Sequence, residues 1–182
     1  MLAMTRHSAT QTPDSPTLVI AHGLYGSGRN WGAIARRLAD RRETVAVDMR
    51  NHGQSPRAQT QSYPDMAADL AEVIESLGGP VDLLGHSMGG KAAMQLALTR
   101  PELIRRLVVA DIAPVAYTHD QSRNARAMAG LDLSRIKTRA EADAALAKEI
   151  DDPGLRVFFL QSLDLRADPP HWRLNLPVLE AE

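Results

Sequence analysis

The stretch VDLLGHSMGGK, Val81 to Lys91, runs from an apolar segment through a serine set between glycines and into a helical pattern. Val81 to Gly85 is short and rich in Val and Leu, which is how a strand buried on both faces reads. Ala92, Ala93, Leu96 and Ala97 then recur with helical period until Pro101 stops them. A buried strand feeding a helix is the repeating unit of a parallel sheet. The junction itself, GHSMG, has the form G-x-S-x-G, so one segment bears on both fold and chemistry.

Working outward, the apolar runs TLVIA (Thr17 to Ala21), TVAVD (Thr44 to Asp48) and RLVVAD (Arg106 to Asp111) have the same character. Between them, Trp31, Ile34, Ala35 and Leu38 form one helical stripe. Met66, Leu70, Val73, Ile74 and Leu77 form another, ended by Gly78, Gly79 and Pro80. This alternation predicts an α/β fold over residues 17–115: a mostly parallel sheet with helices on both faces. Residues 1–16 read as a polar lead. Within the block 116–176, Ala116 to Leu165 contains helical patterns only, including the capping box TRAE (Thr138 to Glu141) and PGLRVFFL (Pro153 to Leu160) with proline at a helix start. That block reads as a cap over a site, or as ordinary packing helices. Residues 177–182 read as the start of a return to the core.

Composition narrows the classes. The chain has 182 residues, 44% apolar and 24% charged, enough for one domain with a sizeable core. A net charge of -1 gives no footprint for nucleic acid or an anionic membrane. The absence of cysteine excludes disulfides, Cys-based zinc sites and thiol nucleophiles. No apolar run reaches the ~18 residues of a membrane span, and the simplest expectation is a cytoplasmic protein.

Ser87 sits where a nucleophile elbow places it, between Gly85 and Gly89, with a strand before it and an Ala-rich helix after it. The competing reading is a plain strand-to-helix turn with Ser87 as N-cap. Acyl transfer also needs donors for an oxyanion. One is the backbone N–H of Met88, and the other is the N–H of Leu24 in the glycine-rich loop HGLYGSGRNW (His22 to Trp31). Gly23, Gly26 and Gly28 of that loop fail the G-x-G-x-x-G spacing of a dinucleotide fingerprint.

The loop HGLYG (His22 to Gly26), the stretch DMRNHGQS (Asp48 to Ser55) and the elbow GHSMGG (Gly85 to Gly90) together resemble the α/β-hydrolase superfamily. DIAP (Asp111 to Pro114) narrows the resemblance to small esterases of the YbfF type, from about Pro16 to Leu179. The resemblance implies a hydrolase sheet under a helical cap and hydrolysis of carboxylic esters or acyl thioesters. It implies neither metal nor organic cofactor. His22, Gly23 and His86 fall on motif positions that support the loops, and Asp48, Arg50 and His52 brace the site rather than react. Asp111, ending the strand after the nucleophile helix, is the candidate triad acid; the alternative is that it satisfies backbone donors in its turn.

The general base is harder to place. Of the six histidines, His7, His22, His52 and His86 come too early for the hydrolase order Ser, Asp, His. His119 and His171 lie in the cap region, and the resemblance puts the base in a loop after further strands. The chain therefore reads as the first part of a hydrolase, inactive or weak alone, with an uncovered sheet edge through which it would self-associate. A two-chain enzyme, a non-catalytic binding module, or another chemistry such as C–C hydrolysis are the other readings.

Overall fold

In a computed structural model, residues 1–117 and 121–182 are described. Five strands form the main sheet: β1 (Met4–His7), β2 (Leu18–Ala21), β3 (Thr44–Val47), β4 (Val81–His86) and β5 (Ile104–Ala110), in the order β1-β3-β2-β4-β5. β1 is antiparallel to β3 and every other pair is parallel. The apolar runs read from the sequence are β2 to β5. Alternation along β2 shows why both faces are covered. Val19 and Ala21 join one apolar cluster with Val45, Leu70 and Leu83, while Leu18 and Ile20 join another with Ala35 and Ala46. β5 pairs with β4 alone; among the described residues its outer edge has no partner strand, and Val108 on it is exposed.

Helices α1 (Gly32–Leu38), α2 (Tyr63–Ser76) and α3 (Met88–Thr99) follow β2, β3 and β4. α2 begins where Ser62 Oγ accepts the Asp65 N–H and ends at Gly78, whose φ of 79° suits glycine. α1 differs from its predicted stripe. Ala35 is fully buried, but Ile34 and Leu38 are exposed, and Trp31 lies in a short 3-10 turn ahead of the helix.

The first 16 residues are not a detached lead. Leu2 is buried in the main core, Ala3 O accepts the Asp48 N–H, and Met4 to His7 register against Val47 to Thr44. The MTRH segment has no apolar alternation of its own; pairing with the edge of β3 makes it a strand.

Over the carboxyl ends of the strands lie α4 (Ser122–Ala129), α5 (Arg139–Leu146), α6 (Pro153–Leu160), a two-stranded hairpin of β6 (Leu163–Asp164) and β7 (His171–Trp172), and α7 (Leu176–Ala181). The capping box at Thr138 and Glu141 starts α5 as the sequence predicts, and Asp152 caps α6 through the Gly154 and Leu155 N–H groups. These elements share their own apolar cluster, which includes Met128, Phe159, Trp172 and Leu179. Asn175 ties it to the loop after β3, donating from Nδ2 to Asn51 Oδ1 at 2.9 Å and from its N–H to Asn51 O at 2.9 Å. No helix among the described residues is long and apolar enough to cross a membrane.

Two buried imidazoles lock the loops after β2 and β3. His22 Nε2 accepts the Met49 N–H at 2.9 Å while its Nδ1 lies 2.8 Å from Gly23 O. His52 Nε2 accepts the Tyr25 N–H at 3.1 Å while its Nδ1 lies 2.7 Å from Arg50 O. Each ring thus needs one bare nitrogen and one N–H, which is the neutral tautomer. Burial, against a weaker opposing bond to Gly23 O, lowers His22 to about 4. Burial and the neighbouring His22 lower His52 to about 3.

Two outcomes follow from this packing. A Cβ on Gly85 would lie 2.7 Å from Gly90 Cα and closer still to Gly89 O, both backbone atoms that cannot swing aside. Gly85→Ala is expected to lose on the order of 3 kcal/mol or more in urea unfolding; a loss under about 1 kcal/mol would show that α3 shifts freely. The histidines set an acid dependence. Below their unfolded pKa of 6.5 the unfolded chain takes up protons that the folded chain refuses until about 4 for His22 and about 3 for His52. Stability is therefore full above pH 6.5 and falls toward pH 4, by on the order of 3 kcal/mol per histidine. His52→Gln, which has no titrating ring, should lose less stability than wild type between pH 7 and pH 4.5; equal losses would refute the assignment.

Candidate active site

β4 delivers Ser87 into a backbone conformation of φ 49°, ψ -115°, which L residues avoid. The Ser87 N–H donates to Ala110 O at 3.0 Å and Ser87 O accepts the Lys91 N–H at 3.0 Å, so both sides of the strained residue are held. Ser87 occupies the N-cap position of α3, yet its side chain makes no capping bond. The N-cap reading therefore fails. α3 can start this close to the sheet because Gly89 has no side chain: a Cβ there would meet Ala21 O at 2.5 Å and His22 O at 2.6 Å.

A cavity of about 1240 Å³ opens between the sheet and the cap, lined by Ser87, Met88, Gly23, Leu24, His86 and Asp111. His22 reaches it from below. Gly85 and Gly89 are the packing glycines behind the elbow. The N–H groups of Leu24 and Met88 find no acceptor among the described residues. Met88 is the first residue of a 12-residue helix, whose leading N–H groups lie beyond the intrahelical ladder and carry the positive end of its dipole.

Asp111 leaves the sheet beside Ser87, because β4 and β5 are parallel neighbours with His86 opposite Ala110. Its backbone is left-handed at φ 56°. The carboxylate is 87% exposed and its Oδ2 lies 3.6 Å from His86 Nε2. The His86 ring packs on Trp31, with centroids 5.8 Å apart. Asp48 braces the loop after β2: Oδ1 accepts the Gly28 N–H at 2.7 Å and Oδ2 the Gln54 N–H at 2.8 Å. Arg50 pairs with Asp69 at 2.6 Å, away from the cavity.

His171 is exposed on β7, its Nδ1 3.2 Å from Pro169 O, and His119 lies outside the described residues. No described histidine hydrogen-bonds the Ser87 hydroxyl. Residues that the sequence left unremarked complete the cleft. Phe158, Phe159 and Leu155 of α6 face Ile34 and Tyr63 across it, and Lys91 donates to Val115 O while its ammonium lies 4.8 Å from the Tyr117 ring centre. Tyr25 is the least expected of them. Its φ of 62° sits where a glycine would be looked for, and only its contacts with the cap reveal it.

The geometry agrees with what the chain is similar to. A family model described as the alpha/beta hydrolase fold matches residues 16–178. The mouse sn-1-specific diacylglycerol lipase ABHD11 is 40% identical over 173 residues, which cover 90% of this chain and 56% of the mouse protein. The Escherichia coli (strain K12) esterase YbfF is 36% identical over 182 residues, covering 98% of this chain and 69% of the bacterial protein. A solved structure titled marine microorganism esterase superposes with a TM-score of 0.90 at 37% identity, covering 99% of this chain and 70% of that one. The chain thus spans little more than half of the mouse relative and about two thirds of the others. With its parallel sheet, its strained serine between strand and helix, and its helical cap, the chain belongs to the α/β-hydrolase family, in the group of YbfF-type esterases.

Proposed function

We propose that this chain carries the nucleophile half of a serine hydrolase acting on carboxylic esters or acyl thioesters through an acyl-enzyme. One observation supports it above the rest: a strained serine whose side chain makes no capping bond shares a cleft with two backbone N–H groups that find no acceptor among the described residues. Ser87 Oγ attacks the acyl carbon and a base takes its proton. The carbonyl oxygen becomes an anion held by the N–H groups of Leu24 and Met88. Collapse expels the alcohol or thiol, and water then releases the acid. Asp111 orients the base. The apolar wall of Leu155, Phe158 and Ile34 suits an acyl chain, which accords with relatives named esterase and diacylglycerol lipase.

The reading includes weak turnover by these 182 residues alone, since no described histidine bonds Ser87. Oxyanion donors and a binding cleft without a full triad still accelerate acyl transfer roughly 10³–10⁴-fold over water. The same observation favours one second reading, a binding module in which Ser87 is inert.

A fluorophosphonate probe separates the two, with imidazole added as an external base. In labelling, the Ser87 Oγ–phosphorus bond forms, fluoride leaves, and imidazole accepts the hydroxyl proton. The proposal expects slow modification of one residue, mapped to Ser87, faster with imidazole and absent in Ser87→Ala. Inertness at every imidazole concentration would favour the binding module.

A further inference from the structure

The turn that presents Leu24 is closed by the Gly26 N–H donating to Gly23 O at 3.0 Å, and its third residue, Tyr25, has a φ of 62°. A left-handed third residue is what a type II turn requires, and glycine or asparagine normally supplies it. A tyrosine there costs on the order of 1 kcal/mol, which glycine would remove. The strain persists because Tyr25 is held from several sides.

Its N–H donates to His52 Nε2 at 3.1 Å, a bond within the core. Three further contacts reach the cap. The hydroxyl donates to Gln121 O at 2.9 Å, just before α4. The carbonyl accepts the Ser162 hydroxyl at 3.2 Å, just after α6. The ring meets Phe159 of α6 edge to face, with centroids 5.3 Å apart. At 3% exposure Tyr25 is buried in the cap's own apolar cluster, although the chain places it in the loop after β2. Asn30 of the same loop donates to Gln161 Oε1 at 2.6 Å and adds a second tie.

We propose that Tyr25 is a positioning residue that couples docking of the helical cap to the oxyanion donor at Leu24. The inference rests on the acyl-transfer reading above. With the cap seated, both peptides of Tyr25 are anchored, one through its N–H and one through its C=O, and the adjoining Leu24 N–H is held toward Ser87. With the cap lifted, the bonds to Gln121 O and from Ser162 are lost, and relaxation of the strained turn is opposed less. A substrate filling the space between α6 and the core favours the seated cap, and so forms the hole only when it is needed.

An alkylboronic acid reads the hole directly. It forms an oxygen–boron bond with Ser87, the hydroxyl proton passes to buffer, and the tetrahedral boronate anion that results places one of its hydroxyl oxygens at the donor pair. Its ¹¹B resonance distinguishes that adduct from trigonal boron, and an amide of the same chain length serves as a ligand that does not use the hole. Ser162→Ala removes one cap tie outside the cavity lining, and Tyr25→Gly removes the cap ties while relieving the backbone. Both are expected to weaken the tetrahedral adduct, Tyr25→Gly by about tenfold or more, and Ser162→Ala should do so with amide affinity changed less than about twofold. Ser162→Thr, which keeps the hydroxyl, should restore it. Adduct and amide affinities that are both unchanged, or that fall together, would overturn the coupling. A wild-type chain that forms no tetrahedral adduct would overturn the acyl-transfer reading itself, and the coupling with it. Should Tyr25→Gly fail to fold, the Ser162 pair decides.

Discussion

The site depends on how closely the first turn of α3 approaches the sheet. Gly89 brings the helix backbone against Ala21 O and His22 O, and Gly85 lets β4 pass beneath Gly90. That approach puts the Met88 N–H and the loop after β2 on one cavity wall. It also forces Ser87 into φ 49°, since the chain must turn from strand to helix within one residue. Strain at such a point persists only where the surroundings over-determine it, as the bonds to Ala110 O and from the Lys91 N–H do here.

The same economy governs the two loops above the elbow. Backbone polar groups in a buried loop need partners, and two neutral imidazoles supply them. His22 takes the Met49 N–H and His52 takes the Tyr25 N–H. A carboxylate in either place would bury a charge, and an aliphatic side chain would strand a donor, each costing more than the histidine does. Each ring's one bare nitrogen is already taken by a backbone N–H, so neither has an acceptor left to serve as a base for Ser87.

Much of this was legible in the sequence because it is local. β2 to β5 announce themselves as apolar runs bounded by turn residues, and the elbow as a serine between glycines at a strand-to-helix junction. The caps of α5 and α6 are equally local, spelled within a few residues. What stayed hidden is set by distant partners. The polar MTRH segment becomes a strand only because the edge of β3 is available. The left-handed Tyr25 is sustained by Gln121 and Ser162, 96 and 137 positions away, and no pattern within HGLYG betrays them. α7 was hidden too: Leu176 and Leu179 turn into the cap cluster, which the residues around them do not reveal.

The central claim is that Ser87 is the nucleophile of acyl transfer in this cleft. It is tested most directly by exposing the chain to a short-chain 4-nitrophenyl ester, quenching in acid, and mapping any added acyl group by mass spectrometry. With no described base to activate water, the account predicts a single acyl group that accumulates on Ser87 as nitrophenol is released. Nitrophenol released without any acyl group on Ser87, or with the group on another residue, would contradict it.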